Sequence, residues 1–273
     1  MKIARFEYLG YRGWGLVQKG YVFALPEAGS FADALEMSSG VPRGEAIEIR
    51  DVQFLPPVAP DSKILCAGFN YRKHVEEMAR DVPTWPSMFV RFPDSFVGHG
   101  QKVVRPSVTT SFDYEAEIAV VIGKNAHRVD ASEALEYVAG YTCMAENSAR
   151  DFQKHNTQAT PGKNFDRSGA IGPWIVTTDE LPDPDLISLV GRLNGEEVQR
   201  ASSEELICPI SRLVAYISSF TTLRPGDVIA TGTPDGIGMT RTPPVWLQPG
   251  DTFEVEVGGV CTLTNVVAEE ENS

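Results

Sequence analysis

Long apolar runs, clustered basic residues and closely spaced cysteines are all missing from this 273-residue chain. No apolar stretch approaches the roughly 18–20 residues that a spanning helix needs, so no membrane segment is expected. The four cysteines, Cys66, Cys143, Cys208 and Cys261, lie far apart with no CxxC spacing, and the opening residues Met1 to Phe6 lack the apolar stretch of a signal peptide. Four buried, reduced thiols in a cytoplasmic protein are the expectation. The formal net charge is −13, and no Lys/Arg cluster forms a local basic stripe, so nucleic acid is not an expected partner. An acidic protein also repels a free anionic substrate unless a bound cation or a few placed basic residues reverse the field locally. That need points toward a metal.

What is present is a globular composition, 42% apolar and 22% charged, in a chain long enough for a full core. Short strand-like runs open it: Lys2 to Tyr8, Gly13 to Gln18 and Tyr21 to Leu25, broken by turns at Gly10 and Gly20. Ser30 can cap a short helix carrying Phe31, Ala34, Leu35 and Met37, and the Pro-rich stretch from Phe54 to Pro60 then interrupts regular structure. These signals predict a small N-terminal β-rich domain over residues 1–59 and a larger one over 60–273. In the larger part strands dominate: Ile64 to Ala67, Met88 to Arg91, Ala116 to Ile122, Pro173 to Thr177, Ile187 to Leu193, Val228 to Thr231, Thr252 to Val257 and Val260 to Asn265. Asn194-Gly195 marks a hairpin turn. Asp130 with Glu133 fits a capping box for a helix through Ala134, Leu135 and Val138, stopped at Gly140. Pro209 suits the first turn of another, with Ile210, Leu213, Val214 and Ile217 as its buried stripe.

Several segments carry candidate chemistry. Glu115 and Glu117 alternate at the mouth of an apolar strand and so share one face, where two carboxylates repel unless a cation lies between them. The polar patch that ends the run Gly140 to Gln153 offers a third oxygen ligand. Carboxylates without a His or Cys cluster suit Mg²⁺, Mn²⁺ or Ca²⁺ rather than zinc. Asn70 is expected to cap a short helix on which His74 and Glu77, three apart, share a face, giving an imidazole oriented by a carboxylate. Gly68 ahead of it would give a lid its mobility. Lys163 follows Gly162 in a polar loop and could meet a substrate carboxylate or a developing enolate. The loop Thr231 to Gly238 is Gly-rich but lacks the P-loop arrangement, which argues against nucleotide binding. His99, His127 and His155 are isolated and read as structural.

In this order, KILCAGFNYRKHVEEM, DYEAEIAVVIGK, GYTCMAENSARDFQ, GKNF, SGAIGPWIV, RLNGEEVQ and RPGDVIATGTPDGIG resemble the fumarylacetoacetate hydrolase superfamily over roughly residues 60 to 266. The resemblance implies an α+β, β-rich fold of packed, rolled mixed sheets, a homodimer, and a divalent metal such as Mg²⁺ at one end. Carried over by position, Glu115, Glu117 and Glu146 match the metal ligands, and His74 with Glu77 the acid/base dyad of a lid. Lys163 and Gln153 match residues that position substrate or water, and Thr233 a substrate-contacting hydroxyl. Many members have Asn-Asp where this chain has Ala145-Glu146, so the third ligand is one methylene longer. Arg91 stands where many have Lys, which suggests a bidentate grip on a substrate carboxylate.

The activity so implied is metal-dependent hydrolysis of a C–C bond in an acylpyruvate-like 2,4-dioxo acid. The same groups would serve a decarboxylase, or an isomerase or tautomerase of a related 2-oxo or 2-hydroxymuconate-type acid. A non-catalytic paralogue that binds a small acid is the reading of a different class. The segment Arg80 to Pro86, with Trp85 between prolines, is expected to shape the distal pocket.

Overall fold

Strand-forming residues at the start of the chain pair with a strand far along it, and that pairing extends one large sheet. The computed structural model describes residues 1–39, 44–181 and 183–271. The meander Lys2–Tyr8, Tyr11–Gln18 and Tyr21–Ala24 is antiparallel, and its first strand joins Gly169–Thr177 with Ile3 opposite Ile175. The 12-stranded sheet continues through Val138–Ala145, Ala116–Ile122, Val228–Ala230 and Ile64–Gly68 to the edge strand Ser87–Arg91. The N-terminal strands therefore share a backbone ladder with the larger part of the chain. A five-stranded sheet, ordered Glu196–Ser202, Ser188–Leu193, Thr252–Val257, Cys261–Glu269 and Val103–Arg105, packs against it. Ile118 and Val120 from the first sheet share a core with Leu189, Val255 and Leu263 from the second. The expected β-rich α+β fold of packed sheets is what forms.

Two helices follow their sequence signals. Ser30 and Asp33 close a reciprocal capping box on Phe31–Met37, and Ile210–Phe220 buries Ile210, Leu213, Val214 and Ile217. The helix expected after Asp130 is replaced by a single 3₁₀ turn, Ala134–Tyr137, and Glu133 makes no capping bond. Val138 instead opens a strand locked between two others, and tertiary pairing overrides the local capping pattern. Gly140 lies inside that strand, where a Cβ would stand 2.1 Å from the Val176 carbonyl oxygen. Close backbone approach, not a helix stop, requires that glycine.

Ala116–Ile122 runs through the middle of the large sheet, antiparallel to both Val138–Ala145 and Val228–Ala230. Ile118 and Val120 face one core and Ala119 and Val121 the other, which is why its sequence reads as a continuous apolar run. Because both neighbours run opposite to it, its first residues meet the last residues of each. Ala116 pairs with Ala145, and Thr231 donates its N–H to the Ile118 carbonyl. Ile64–Gly68 is parallel to Val228–Ala230 and ends at the same place. Four separate segments thus deliver their polar ends to one edge of the sheet.

Candidate active site

At this edge Glu115, Glu117 and Glu146 offer carboxylate oxygens that all lie within 4.8 Å of one another, and all three residues are buried. Their surroundings differ. Glu115 touches Arg150 Nη1 at 2.8 Å, Lys163 Nζ at 3.0 Å and the Ser148 hydroxyl at 2.6 Å. Burial works to raise its carboxyl, but the Arg150 and Lys163 charges and the Ser148 bond outweigh it and hold it at about 2. Glu146 pairs with Arg91 Nη1 at 3.1 Å through one oxygen and with Lys163 through the other. Glu117 accepts only the Gly232 N–H, at 2.9 Å, and among the described residues no cation pairs with it. Burial first, then the charges of Glu146 and Glu115, push its carboxyl well above the usual range.

The formal charges explain this. Asp113, Glu115, Glu117 and Glu146 are buried with Arg91, Arg150 and Lys163, so four acids face three bases. With a proton on Glu117 the cluster is neutral. A dication in exchange for that proton leaves it positive, which is the field a small anion needs. Three hard oxygen donors without His or Cys, one lacking any counter-charge, fit a divalent cation of the Mg²⁺, Mn²⁺ or Ca²⁺ kind.

Two opposite pH limbs follow for metal-free protein. Glu115 is depressed, so its contribution, about 3 kcal/mol, is present above the unfolded value and lost as pH falls from about 4.5 toward 2. Glu117 is raised, so its contribution is full below about 4.5 and declines as pH rises toward its folded value. Glu117→Gln should therefore raise the melting temperature of chelated protein at neutral pH, by about 1–3 kcal/mol of stability, and flatten the upper limb. Calorimetry across pH in chelator checks both; an unchanged upper limb would show that Glu117 carries no proton.

The three carboxylates reach their positions by different routes. Glu115 and Glu117 come from the central strand, and Glu146 follows the end of its neighbour, its N–H bonded to the Glu115 carbonyl at 2.9 Å. Lys163 ends the short helix Thr160–Lys163, which lies against Arg150–Gln153. A Cβ on Gly162 would stand 2.6 Å from the Gln153 nitrogen, so only glycine lets the two helices meet. The polar-loop lysine of the sequence is accordingly almost fully enclosed.

Glu115, Glu117 and Lys163 line a cavity of about 580 Å³ together with His74, Arg150, Gln153 and Thr233. That is room for a small acid. His74 lies on the helix Arg72–Glu77, and its Nδ1 is 3.1 Å from Glu77 Oε2. Burial alone would raise the Glu77 carboxyl, but bonds from His74, the Thr240 hydroxyl and the Gly236 amide carry it below the usual range. An ionised carboxylate only accepts, so Nδ1 carries the proton in this contact, and the neutral ring then presents Nε2 as an acceptor. Phe69 stacks on the imidazole with ring centroids 5.8 Å apart.

Other expectations change in detail. Asn70 does not cap this helix; its side chain bonds Cys208 and the Thr231 carbonyl, tying the segment ahead of the helix to two loops. Ahead of the helix Phe69 takes the left-handed backbone, with φ 55°. Thr233 Oγ1 donates to the Ala116 carbonyl and accepts from Gln199 Nε2, so its proton is already engaged. Arg91 does not line the cavity. It grips a carboxylate, but that of Glu146, from behind. Trp85 is 67% exposed and stacks on Tyr216, leaving Arg80, Ser87 and Phe89 to form that side of the cavity. His99, His127 and His155 stay outside the cavity lining.

Sequence reasoning passed over Arg150. Its Nε bonds Asp113 at 2.8 Å, its Nη1 bonds Gln153, and it lines the cavity with Nη2 buried and without a partner among the described residues. The signal was indirect: clustered buried acids demand buried cations, and this arginine follows the third acid in sequence.

Comparison with known proteins finds relatives in both sequence and fold. Residues 63–268 match the family described as fumarylacetoacetate (FAA) hydrolase, C-terminal, and residues 1–57 match one described as Rv2993c-like, N-terminal. The chain is 40% identical over 219 residues to the protein of Homo sapiens named oxaloacetate tautomerase FAHD2A, mitochondrial, covering 80% of this chain and 70% of that one. The structure of a 5-carboxymethyl-2-hydroxymuconate delta-isomerase from Mycobacterium smegmatis superposes over 100% of both chains, with TM-score 0.83 and 31% identity. A fumarylacetoacetate hydrolase from psychrophilic Exiguobacterium antarcticum gives TM-score 0.87 at 33% identity, over 99% of this chain and 100% of that one. Among the described residues no helix is long and apolar enough to cross a membrane.

Proposed function

This chain belongs to the fumarylacetoacetate hydrolase family, and from that premise we propose that it is a divalent-metal-dependent tautomerase interconverting the enol and keto forms of a small 2-oxo dicarboxylic acid. The observation that carries the reading is the placement of the His74–Glu77 dyad and two of the three clustered carboxylates on one cavity. Tautomerisation asks for a positioned base and a sink for enolate charge, and nothing further. The similarity to proteins named oxaloacetate tautomerase and delta-isomerase supports it. Hydrolytic C–C cleavage, the first expectation from sequence, takes second place. It also needs a water held at Gln153, whose Oε1 already accepts from Arg150.

Glu115, Glu117 and Glu146 would hold a divalent cation, which would supply Lewis-acid stabilisation of enolate charge. Arg150, whose guanidinium lines the cavity beside Glu115, offers its charge to the adjacent carboxylate of the substrate. Lys163 offsets charge on the enolate oxygen. His74 Nε2 takes the proton at one end of the enol–keto system and returns it at the other, and Glu77 holds the ring in the tautomer that can do so.

The test follows loss of the enol's ultraviolet absorbance for oxaloacetate with Mg²⁺, Mn²⁺ or chelator, with products identified by NMR. Metal-dependent acceleration yielding keto oxaloacetate supports the proposal. Pyruvate with CO₂ would make it a decarboxylase, and cleavage of an acylpyruvate without any tautomerisation would return it to the hydrolase reading.

The far carboxylate has a partner as well. Arg80 lines the cavity with its guanidinium 5.8 Å from the centroid of the Phe69 ring. Arg80→Ala should raise KM for a dicarboxylate about fivefold, the scale of an exposed ion pair near 1 kcal/mol, with little change for a monocarboxylate. Equal effects on both in steady-state kinetics would remove Arg80 from that role.

A further inference from the structure

Two thiols separated by 118 positions in sequence meet where the two sheets pack. Cys143 lies in Val138–Ala145 of the large sheet, and Cys261 opens Cys261–Glu269 of the five-stranded sheet. Their sulfurs are 3.2 Å apart, and Cys143 Sγ also lies 3.2 Å from the Cys261 carbonyl oxygen. Both are free thiols, Cys143 enclosed and Cys261 half-buried. Cys66 and Cys208 are buried elsewhere in the fold. None of the catalytic chemistry proposed above uses the Cys143–Cys261 pair, and neither residue lines the cavity.

We propose that Cys143 and Cys261 form a modification site, a dithiol that a small-molecule disulfide oxidises to a reversible cross-link between the two sheets. A disulfide requires the sulfurs to close to about 2.05 Å, so they must move by only about 1 Å. Entry is at Cys261. Burial and the neighbouring Cys261 push the Cys143 thiol well up, which leaves the more accessible Cys261 as the first nucleophile. The Cys261 thiolate attacks the external disulfide, whose S–S bond breaks to release one thiol and leave a mixed disulfide on Cys261. Cys143 then loses its proton and attacks Cys261 Sγ, expelling the second thiol. Two protein thiols are oxidised, and one external disulfide is reduced to two thiols.

The cross-link would close a loop of more than a hundred residues and so restrict the unfolded chain strongly. The test incubates the native protein with oxidised glutathione and examines it by intact mass, peptide mapping and thermal melting. Expected are a mass loss of two hydrogens, a single peptide pair joining Cys143 to Cys261, and two titratable thiols remaining of four. The melting temperature should rise by several degrees, and dithiothreitol should reverse every change. Cys261→Ser should remove the shift. Glutathione retained on Cys261 without a cross-link, oxidation of Cys66 or Cys208 instead, or four thiols persisting after long incubation would each overturn the proposal; the peptide map does so even if the variant fails to fold.

Discussion

Replacing His74 by Asn is expected to slow enol–keto conversion by about 10²–10⁴-fold, the usual worth of a positioned general base, while leaving divalent-metal affinity unchanged. The separation of the two effects follows from the architecture. The imidazole arrives on the helix Arg72–Glu77, whereas the three carboxylates come from the ends of neighbouring sheet strands. Glu77 also accepts from the Gly236 amide and the Thr240 hydroxyl, so the dyad is latched onto the loop that follows Val228–Ala230. The ring is thus fixed by Glu77 on one side and by the Phe69 face on another. Its contribution arises in the transition state, so kcat and kcat/KM should fall together with KM nearly constant. Steady-state kinetics beside a calorimetric metal titration checks this. An active Asn variant would place the base elsewhere on the cavity wall, and loss of metal binding would mean that the helix helps to hold the carboxylates.

What could be read from the sequence depended on how local its cause was. The Ser30 cap, the Asn194-Gly195 turn and the stripe of Ile210, Leu213, Val214 and Ile217 are set by near neighbours, and each formed as expected. Glu115 and Glu117 were legible as a pair because strand alternation puts them on one face, and the structure brings both within reach of Glu146. The capping pattern at Asp130 misled because pairing of Val138–Ala145 with strands on both sides outweighs a local box. Arg91, Arg150 and the Cys143–Cys261 contact were illegible for one shared reason. Each takes its meaning from a partner 35 or more positions away, and no periodicity encodes that. Arg91 shows the consequence: its residue type correctly suggested a carboxylate grip, but only the fold says which carboxylate.

That grip should dominate the stability of the site. Arg91 is fully enclosed, and each of its nitrogens is engaged: Nε with the Ser95 hydroxyl at 3.1 Å, Nη1 with Glu146 and the Asn147 carbonyl, Nη2 with the Ser168 hydroxyl at 2.9 Å and the Ser95 carbonyl. The Phe96 ring lies 4.3 Å beneath. Arg91→Met keeps the volume but leaves the Glu146 carboxylate buried with Lys163 as its one remaining cation, and should cost about 3–5 kcal/mol. For a chain of this size that is on the order of 10 °C in melting temperature. Arg91→Lys keeps the charge but loses the planar fork, so its loss should be intermediate. Adding Glu146→Gln to Arg91→Met removes the stranded charge and should recover roughly half of the lost stability, since much of a broken pair's cost lies in the group left behind. Thermal melts in chelator of the wild type, Arg91→Met, Glu146→Gln and the double variant make a double-mutant cycle. Additive losses would mean that Arg91 stabilises through Ser95, Ser168 and Phe96 alone, and that Glu146 is held at this edge of the sheet by its own strand and Lys163.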